Sequence, residues 1–182
     1  RERGDAFARV LGNAEQHGEG PTQARVAARH PGQSIEDRHL DGKTCHEKAP
    51  ALERVRAARA AIDRSGEDVV LVARTELLLD DATAVTPAID RLVAFAAAGA
   101  DCLYAPGVWN KEDIVAMVRA VAPKPLNVLA YKPDRTVAEL AELGVRRISI
   151  GGALAAIGWA ATLKAAEAFK AGSFAPIAER LP

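Results

Sequence analysis

The stretch "DVVLVART", residues 68–75, is a short apolar run that ends on an arginine. Such a run between polar residues is typical of a strand buried on both faces. Three similar runs follow: "ADCLYAP" at 100–106, "PLNVLA" at 125–130 and "RRISIGG" at 146–152. Alanine-rich segments separate these runs. The pattern therefore predicts strands that alternate with helices and pair in parallel.

Helix start and stop signals support this alternation. Thr86 and Pro87 are predicted to open one helix, and Asn110 the next. The string "TVAE" at 136–139 is a capping box, which predicts the start of a third helix. A last helix is predicted over residues 154–172.

Upstream of residue 68 the signals are weaker. We interpret "ARVLGNAE" at 8–15 and "GQSIED" at 32–37 as two more strands, "PTQARVAARH" at 21–30 as a short helix, and "PALERVRAARAAIDRSG" at 50–66 as a long one. The total is about six β-α units, which fits either a doubly wound open sheet or a (β/α)₈ barrel that lacks some units. The length predicts a single domain over residues 1–182.

Composition and charge restrict the possible functions. The chain is 49% hydrophobic and 26% charged, a composition that supports a folded core. Its 24 basic and 24 acidic residues give a formal net charge of zero, and no apolar run approaches the length of a membrane span. Two cysteines, Cys45 and Cys102, are too few for a disulfide framework. We therefore expect a cytoplasmic protein that binds a small molecule, with no nucleic acid or membrane partner.

Polar residues stand where the predicted strands end. The carboxyl ends of parallel strands form the active face in both candidate folds. Oxygen ligands there suit a hard ion such as Mg²⁺, and an arginine fork suits a carboxylate. The arrangement predicts a divalent-cation site with a carboxylate substrate. In chain order the residues are Asn13, Glu15, Glu36, Asp37, Arg74, Glu76, Tyr104, Asn127, Ser149, Gly151 and Gly152.

Arg74 is the strongest single candidate, because a charge that ends an apolar strand needs a partner. An ion pair with Glu76 or another acid is the structural alternative. Asn127 is a buried amide that needs partners as well, from the protein or from a ligand. The backbone amides at Gly151 could bind an anion, although close packing explains a glycine there equally well. The candidate substrate-binding residues are Arg74, Tyr104, Asn127 and Gly151.

The polar stretch 38–48 contains two motifs that fail on spacing. In "GKT", residues 42–44, a phosphate loop would need a glycine at the position that Asp37 occupies. His39, Cys45 and His46 lie close together but match no standard zinc pattern.

Several strings resemble, in order, the isocitrate lyase/phosphoenolpyruvate mutase family. They include "ERVRAARAAI", "VVLVARTELLL" and "TVAELAELGVRRISIGGAL", and the resemblance runs from residue 50 to 155, with "SIED" at 34–37 upstream. It implies a TIM-type (β/α)₈ barrel that lacks its first one or two β-α units, assembled as a homo-oligomer. It also implies an enzyme that uses Mg²⁺ to cleave or form C–C or C–P bonds through an enolate.

The resemblance implies roles for individual residues. Arg74 matches the family's substrate arginine and Glu36 its "ED" glutamate. The string "NAEQHGEG" at 13–20 resembles the family's metal string, with Glu15 at the second acid and Asn13 in place of the first. The metal candidates are therefore Asn13, Glu15 and Glu36. Asparagine in place of aspartate removes a charge, which is expected to weaken Mg²⁺ binding.

Lyase members of the family carry a mobile Lys-Arg-Cys-Gly-His loop whose cysteine is an acid or base. Here "KTCHE" at 43–47 occupies a similar place, but the glycine is missing and the cysteine is shifted by one residue. Residues 37–49 are predicted to be a gating loop, and Cys45, Arg74 and Glu36 are the catalytic candidates. Three functions stay open. They are a Mg²⁺-dependent C–C lyase for a methylisocitrate-, isocitrate- or oxaloacetate-like acid, a phosphoenolpyruvate mutase or phosphonopyruvate hydrolase, and an inactive truncated barrel.

Overall fold

A five-stranded parallel sheet forms the centre of the computed structural model, which describes residues 32–179. Its strands follow one another in space in the same order as in the chain, and every pair is parallel. A doubly wound sheet would reverse its strand order at a switch point, whereas this order is that of a barrel wall. The strands are β1 Gly32–Glu36, β2 Val70–Arg74, β3 Cys102–Tyr104, β4 Leu126–Leu129 and β5 Arg147–Ser149.

Helices connect the strands, as the alternation predicted. The short helix α2 and the final 3₁₀ helix had not been predicted. The strand at 8–15 and the short helix at 21–30 lie outside the described residues. The helices are α1 Lys48–Ser65, α2 Leu77–Asp80, α3 Val85–Ala97, α4 Lys111–Val121, α5 Val137–Glu142 and α6 Ala153–Lys170, followed by the 3₁₀ helix Ala175–Glu179.

The helix starts follow the predicted caps with one exception. The Asn110 side chain accepts a hydrogen bond from the Glu112 amide at 2.9 Å, and the capping box at 136–139 is complete. The prediction that α3 opens at Thr86 is wrong, because the helix begins at Val85. Pro87 still lies in the first turn, where its missing N–H breaks no intrahelical bond.

The two faces of the sheet differ. One face packs against the helices and joins the main apolar core, to which Leu71, Leu103, Leu126 and Val128 contribute. Successive side chains of a strand point to opposite faces, so the residues between them lie on the other side. There Val72, Cys102 and Tyr104 form a second, smaller buried cluster with Val70 and Leu129. We call this side the inner face.

Helix α6 is largely exposed. None of its 18 residues is buried, and Leu154, Ile157, Trp159 and Leu163 are more than 60% exposed. An exposed apolar surface of this kind is typical of an association site, and the homo-oligomer stays a prediction. Between residues 32 and 179, no helix has the length and hydropathy of a membrane span.

Candidate functional site

A line of polar side chains crosses the inner face of the sheet along one register position. The register pairs Glu36 with Arg74, Arg74 with Tyr104, Tyr104 with Asn127, and Asn127 with Arg147. One residue from each of the five strands therefore lies on a single register line. We call these five residues the polar row. Three of them, Glu36, Arg74 and Tyr104, are also the last residues of their strands.

Arg74 is the centre of the first half of the polar row. Its Nη1 lies 3.1 Å from Glu36 Oε1, its Nε donates to Glu76, and its guanidinium carbon lies 5.1 Å from the centre of the Tyr104 ring. Burial lowers the pKa of Arg74, but the hydrogen bond and charge of Glu76 and the charge of Glu36 outweigh it and leave the pKa raised. The side chain is 26% exposed, so a ligand can reach it.

Two acids and a second arginine complete this half of the site. The Glu76 side chain is only 4% exposed and lies 3.5 Å from Arg38 as well as beside Arg74. Arg38 also pairs with Asp80 at 2.6 Å. The ion pair of Arg74 with Glu76, the structural alternative from the sequence, is therefore present. It fixes the guanidinium but occupies only part of its five N–H donors.

The second half of the polar row is a hydrogen-bonded set. Asn127 is fully buried, its Oδ1 accepts from Arg147 at 2.9 Å, and its Nδ2 donates to Ser149 at 3.0 Å. Burial raises the pKa of Tyr104, against the opposing effects of Arg74 and of a hydrogen bond with Ser149. Both ends of the Asn127 amide are thus engaged by neighbours, which favours a positioning role for it over direct ligand contact.

Gly151 stands after β5 and adopts φ +53°. A side chain there would be strained by that backbone conformation and would place Cβ 3.3 Å from Leu129 Cδ1. Backbone geometry therefore accounts for this glycine. Its role in substrate binding stays a prediction.

Asp37 ties the end of β1 to its surroundings. Its side chain accepts hydrogen bonds from the Glu76 amide and from Arg91, both at 2.9 Å. Arg91 in α3 also donates to the His46 carbonyl at 2.7 Å, and the His46 amide donates to the Asp37 carbonyl at 2.6 Å. Arg91 and Asp37 form an ion pair, and both are buried. The pair holds the two ends of the segment 37–46 together.

Between these ends the chain forms a closed hairpin. Arg38 and Cys45 make an antiparallel bridge, and the His39 amide donates to the Thr44 carbonyl at 2.9 Å. "GKT" lies in the turn of this hairpin, with Gly42 at φ +70°, and does not open a helix. Residues 48 and 49 already belong to α1, so the predicted gating loop is shorter than 37–49. Its movement stays a prediction.

Cys45 lies at the base of this hairpin, beside acidic groups. Its Sγ is 3.8 Å from Asp80 Oδ2, and within residues 32–179 no hydrogen bond joins it to the polar row. Burial, followed by the negative charge of Asp37, raises the pKa of the Cys45 thiol to about 11, against the opposing effect of Arg38. In this conformation the sulfur is a protonated thiol at neutral pH. It fits a proton donor better than a thiolate base.

Alkylation of Cys45 by iodoacetamide is expected to be slow at pH 7 and to rise roughly tenfold per pH unit, because only the thiolate reacts. The rise should continue past pH 9, since the pKa is about 11. Peptide mass mapping separates Cys45 from the buried Cys102 and gives its rate at each pH. A rate that levels off near pH 8.5, the value for an ordinary free thiol, would contradict this environment.

Among Glu36, Asp37 and Glu76, Glu36 is the best placed for a metal ion. Its side chain is 46% exposed and one of its oxygens pairs with Arg74, whereas Asp37 and Glu76 are buried and engaged by arginines. Residues 32–179 hold no cluster of three candidate ligands. Glu36 thus fits a hard cation as one oxygen ligand. The predicted partners Asn13 and Glu15 lie outside the described residues.

Several residues of the site were not predicted. Arg147 follows a period of two with Ser149 in "RRISIGG", which could have placed both on one face. Arg91 lies on the buried stripe of α3 with Ala88, Leu92 and Phe95, a helical spacing that was readable in the sequence. The Arg38 contacts left no such signal, because they depend on how the hairpin folds back.

Comparison with known proteins gives one matching family model, described as phosphoenolpyruvate phosphomutase, over residues 14–170. An uncharacterized protein of Mycobacterium tuberculosis is 32% identical over 128 residues, which are 70% of this chain and 48% of that protein. The chain thus spans about half the length of the curated relatives it matches.

Solved structures resemble the chain over a similar length. A candidate lyase/mutase from Burkholderia cenocepacia is 37% identical with a TM-score of 0.76, over 83% of this chain and 55% of that one. A 2,3-dimethylmalate lyase, described as a member of the PEP mutase/isocitrate lyase superfamily, is 29% identical with a TM-score of 0.69, over 76% and 50%. An oxaloacetate acetylhydrolase in complex with its product oxalate is 32% identical with a TM-score of 0.69, over the same shares.

Proposed function

The chain belongs to the phosphoenolpyruvate phosphomutase family, within the PEP mutase/isocitrate lyase superfamily, and on this premise we propose that it is part of a carbon–carbon lyase. The proposed substrate is a small 2-oxo or hydroxy polycarboxylate of the methylisocitrate, isocitrate or oxaloacetate type. Its C–C bond is cleaved through an enolate. The observation that carries the proposal is Arg74, a partly exposed guanidinium held by Glu36 and Glu76 at the end of β2.

Arg74 binds the substrate in this proposal. Cleavage next to a 2-oxo acid develops negative charge on an oxygen, and a positioned cation stabilises that charge as it forms. The acids on either side of Arg74 and the Tyr104 ring beneath it fix the guanidinium before the substrate arrives. A group fixed in advance needs little reorganisation during the reaction, which is the main source of such stabilisation.

Mg²⁺ is the proposed cofactor, held by Glu36 together with Asn13 and Glu15. A bound Mg²⁺ ion supplies a Lewis acid for the enolate oxygen. Glu36 supports this assignment, because it combines exposure with a position next to the substrate arginine.

Cys45 is the proposed proton donor. Its thiol holds its proton at neutral pH, as its raised pKa of about 11 requires. In the described conformation it lies beside Asp80 and not on the polar row, so the hairpin 38–45 has to move for the thiol to reach the substrate. Among the described residues, Leu40 at the tip of the hairpin is fully exposed, so packing of its side chain does not oppose that movement.

The proposal is tested by a substrate panel on the complete protein with Mg²⁺. Methylisocitrate, isocitrate and oxaloacetate are assayed for release of the acid produced by C–C cleavage. Phosphonopyruvate is assayed both for release of inorganic phosphate and for conversion to phosphoenolpyruvate. We expect cleavage of at least one polycarboxylate. Replacement of the proposed proton donor (Cys45→Ser) is expected to lower the cleavage rate about 100-fold or more. Thr44→Ser in the same hairpin is the control and should leave the rate unchanged.

Phosphonate chemistry is the second candidate, favoured by the match to the phosphomutase family model. It needs no cysteine on the loop. Turnover of phosphonopyruvate alone, with little change in Cys45→Ser, would replace the lyase proposal by this one. A complete protein that turns over none of the four compounds would favour the third reading, an inactive barrel.

A further inference from the structure

Arg147 in β5 carries a charge that the described part of the chain does not balance. It is partly buried, and its Nη1 donates to the neutral Oδ1 of Asn127 at 2.9 Å. Within residues 32–179 it forms no ion pair. In contrast, Arg38, Arg74 and Arg91 each have a carboxylate within 3.1 Å. A charge that is partly withdrawn from water usually lies near an anionic partner, so Arg147 is available to an acidic ligand.

The neighbours of Arg147 hold it in place. Asn127 is fully buried and fixes one arm of the guanidinium while it donates to Ser149. The positive charge of Arg147 is near enough to lower the pKa of Tyr104 and of Cys102, although burial keeps both raised. These residues lie on the inner face, so Arg147 lies there too. The buried Asn127 amide thus holds the Arg147 side chain on the same side of the sheet as Arg74.

We infer that Arg147 binds a second acidic group of the substrate, a carboxylate or a phosphonate, while Arg74 binds the first. The inference rests on the proposed function and makes Arg147 a specificity-determining residue. Arg74 and Arg147 share the register line and are three strand spacings apart, roughly 14 Å between Cα atoms. Two long side chains that extend from these positions over one face leave a gap that suits a small diacid. Tyr104 and Asn127 lie between them.

The test measures binding of three probes to the complete protein by isothermal titration calorimetry with Mg²⁺. Oxalate is too short to reach both arginines, whereas malate and 3-phosphonopropionate carry two separated acidic groups. In Arg147→Gln we expect diacid affinity to fall about 10- to 100-fold, the range for loss of a charge-assisted contact, with oxalate affinity unchanged. Arg147→Lys keeps the charge and should recover part of the affinity. A loss for one diacid alone supports the inference and identifies the acidic group.

Arg146→Gln is the matched control, because it removes the same charge from the neighbouring residue. Arg146 is exposed, and within residues 32–179 its side chain bonds only to the backbone carbonyls of Ala141 and Val145. It should change the affinity for none of the probes. Equal losses for oxalate and the diacids in Arg147→Gln would overturn the inference, since they would mean that Arg147 only supports Asn127. Unchanged diacid affinity would overturn it as well. A wild-type protein that binds none of the probes would overturn the proposed function too.

Discussion

Replacing Arg74 with lysine is expected to lower the rate of substrate turnover by about 100-fold or more, the usual effect of removing one preorganised donor to a developing oxyanion. The reason is geometric. Arg74 divides its guanidinium between Glu36, Glu76 and a position over the Tyr104 ring. A lysine keeps the charge but presents one compact ammonium in place of a planar fork, so it cannot serve both acids and a substrate carboxylate at once.

Lysine is chosen because it separates geometry from folding. A neutral residue at position 74 would leave the buried Glu76 carboxylate with Arg38 as its remaining cation. The resulting loss of folding stability would obscure the effect on turnover. Arg56→Lys, at an exposed position of α1, is the control. Steady-state kinetics on the complete protein give the result. Turnover by Arg74→Lys that matches the Arg56→Lys control would remove Arg74 from the catalytic site.

Replacing Arg91 with methionine is expected to destabilise the folded chain by about 3–5 kcal/mol, because it leaves a buried carboxylate without its cation. Asp37 has a fully buried side chain whose acid is paired with Arg91 at 2.9 Å. The same arginine donates to the His46 carbonyl, so the end of the hairpin loses a contact as well. Urea unfolding, followed by circular dichroism, gives the change in the free energy of unfolding.

A surface pair provides the comparison for Arg91. Lys48 and Asp90 also form an ion pair, but their side chains are 42% and 64% exposed. Lys48→Met should therefore cost at most about 1 kcal/mol. Adding Asp37→Asn to Arg91→Met should recover part of the lost stability, since the buried charge is then gone. A cost for Arg91→Met no larger than that for Lys48→Met would contradict the role of this pair.

Much of the fold was readable from the sequence. Period and length of the apolar runs were sufficient for β2 to β5, because each run is short and is followed by a segment with a helical pattern. The alternation of strands and helices alone was compatible with both a doubly wound sheet and a barrel. The choice between them depends on which strands are neighbours, and single-sequence periodicity carries no information about that. The resemblance to a family supplied the missing topology, and the strand order confirms the barrel.

The candidate site was only partly readable. Glu36, Arg74 and Tyr104 were found because a strand end is a position that can be counted along the chain. The sequence pattern could have placed Arg91 on the buried face of its helix and Arg147 on the face of Ser149, but their partners, Asp37 and Asn127, are far away in sequence. Whether such a charge is paired becomes clear only when its neighbours are known. The surroundings of Cys45 were not readable for the same reason. Its motif suggested an acid or base, but only the structure places the thiol next to Asp80 and gives it a raised pKa.

The central claim is that the Arg74 end of the polar row binds the enolate-like part of an acidic substrate beside a divalent cation. Oxalate resembles the enolate of pyruvate, so its binding tests the claim without any assumption about the substrate. Calorimetric titration of the complete protein with oxalate should show one site whose affinity depends on Mg²⁺ and falls in Arg74→Lys. Oxalate binding that is undetectable with Mg²⁺ present, or that is the same in Arg74→Lys, would contradict it.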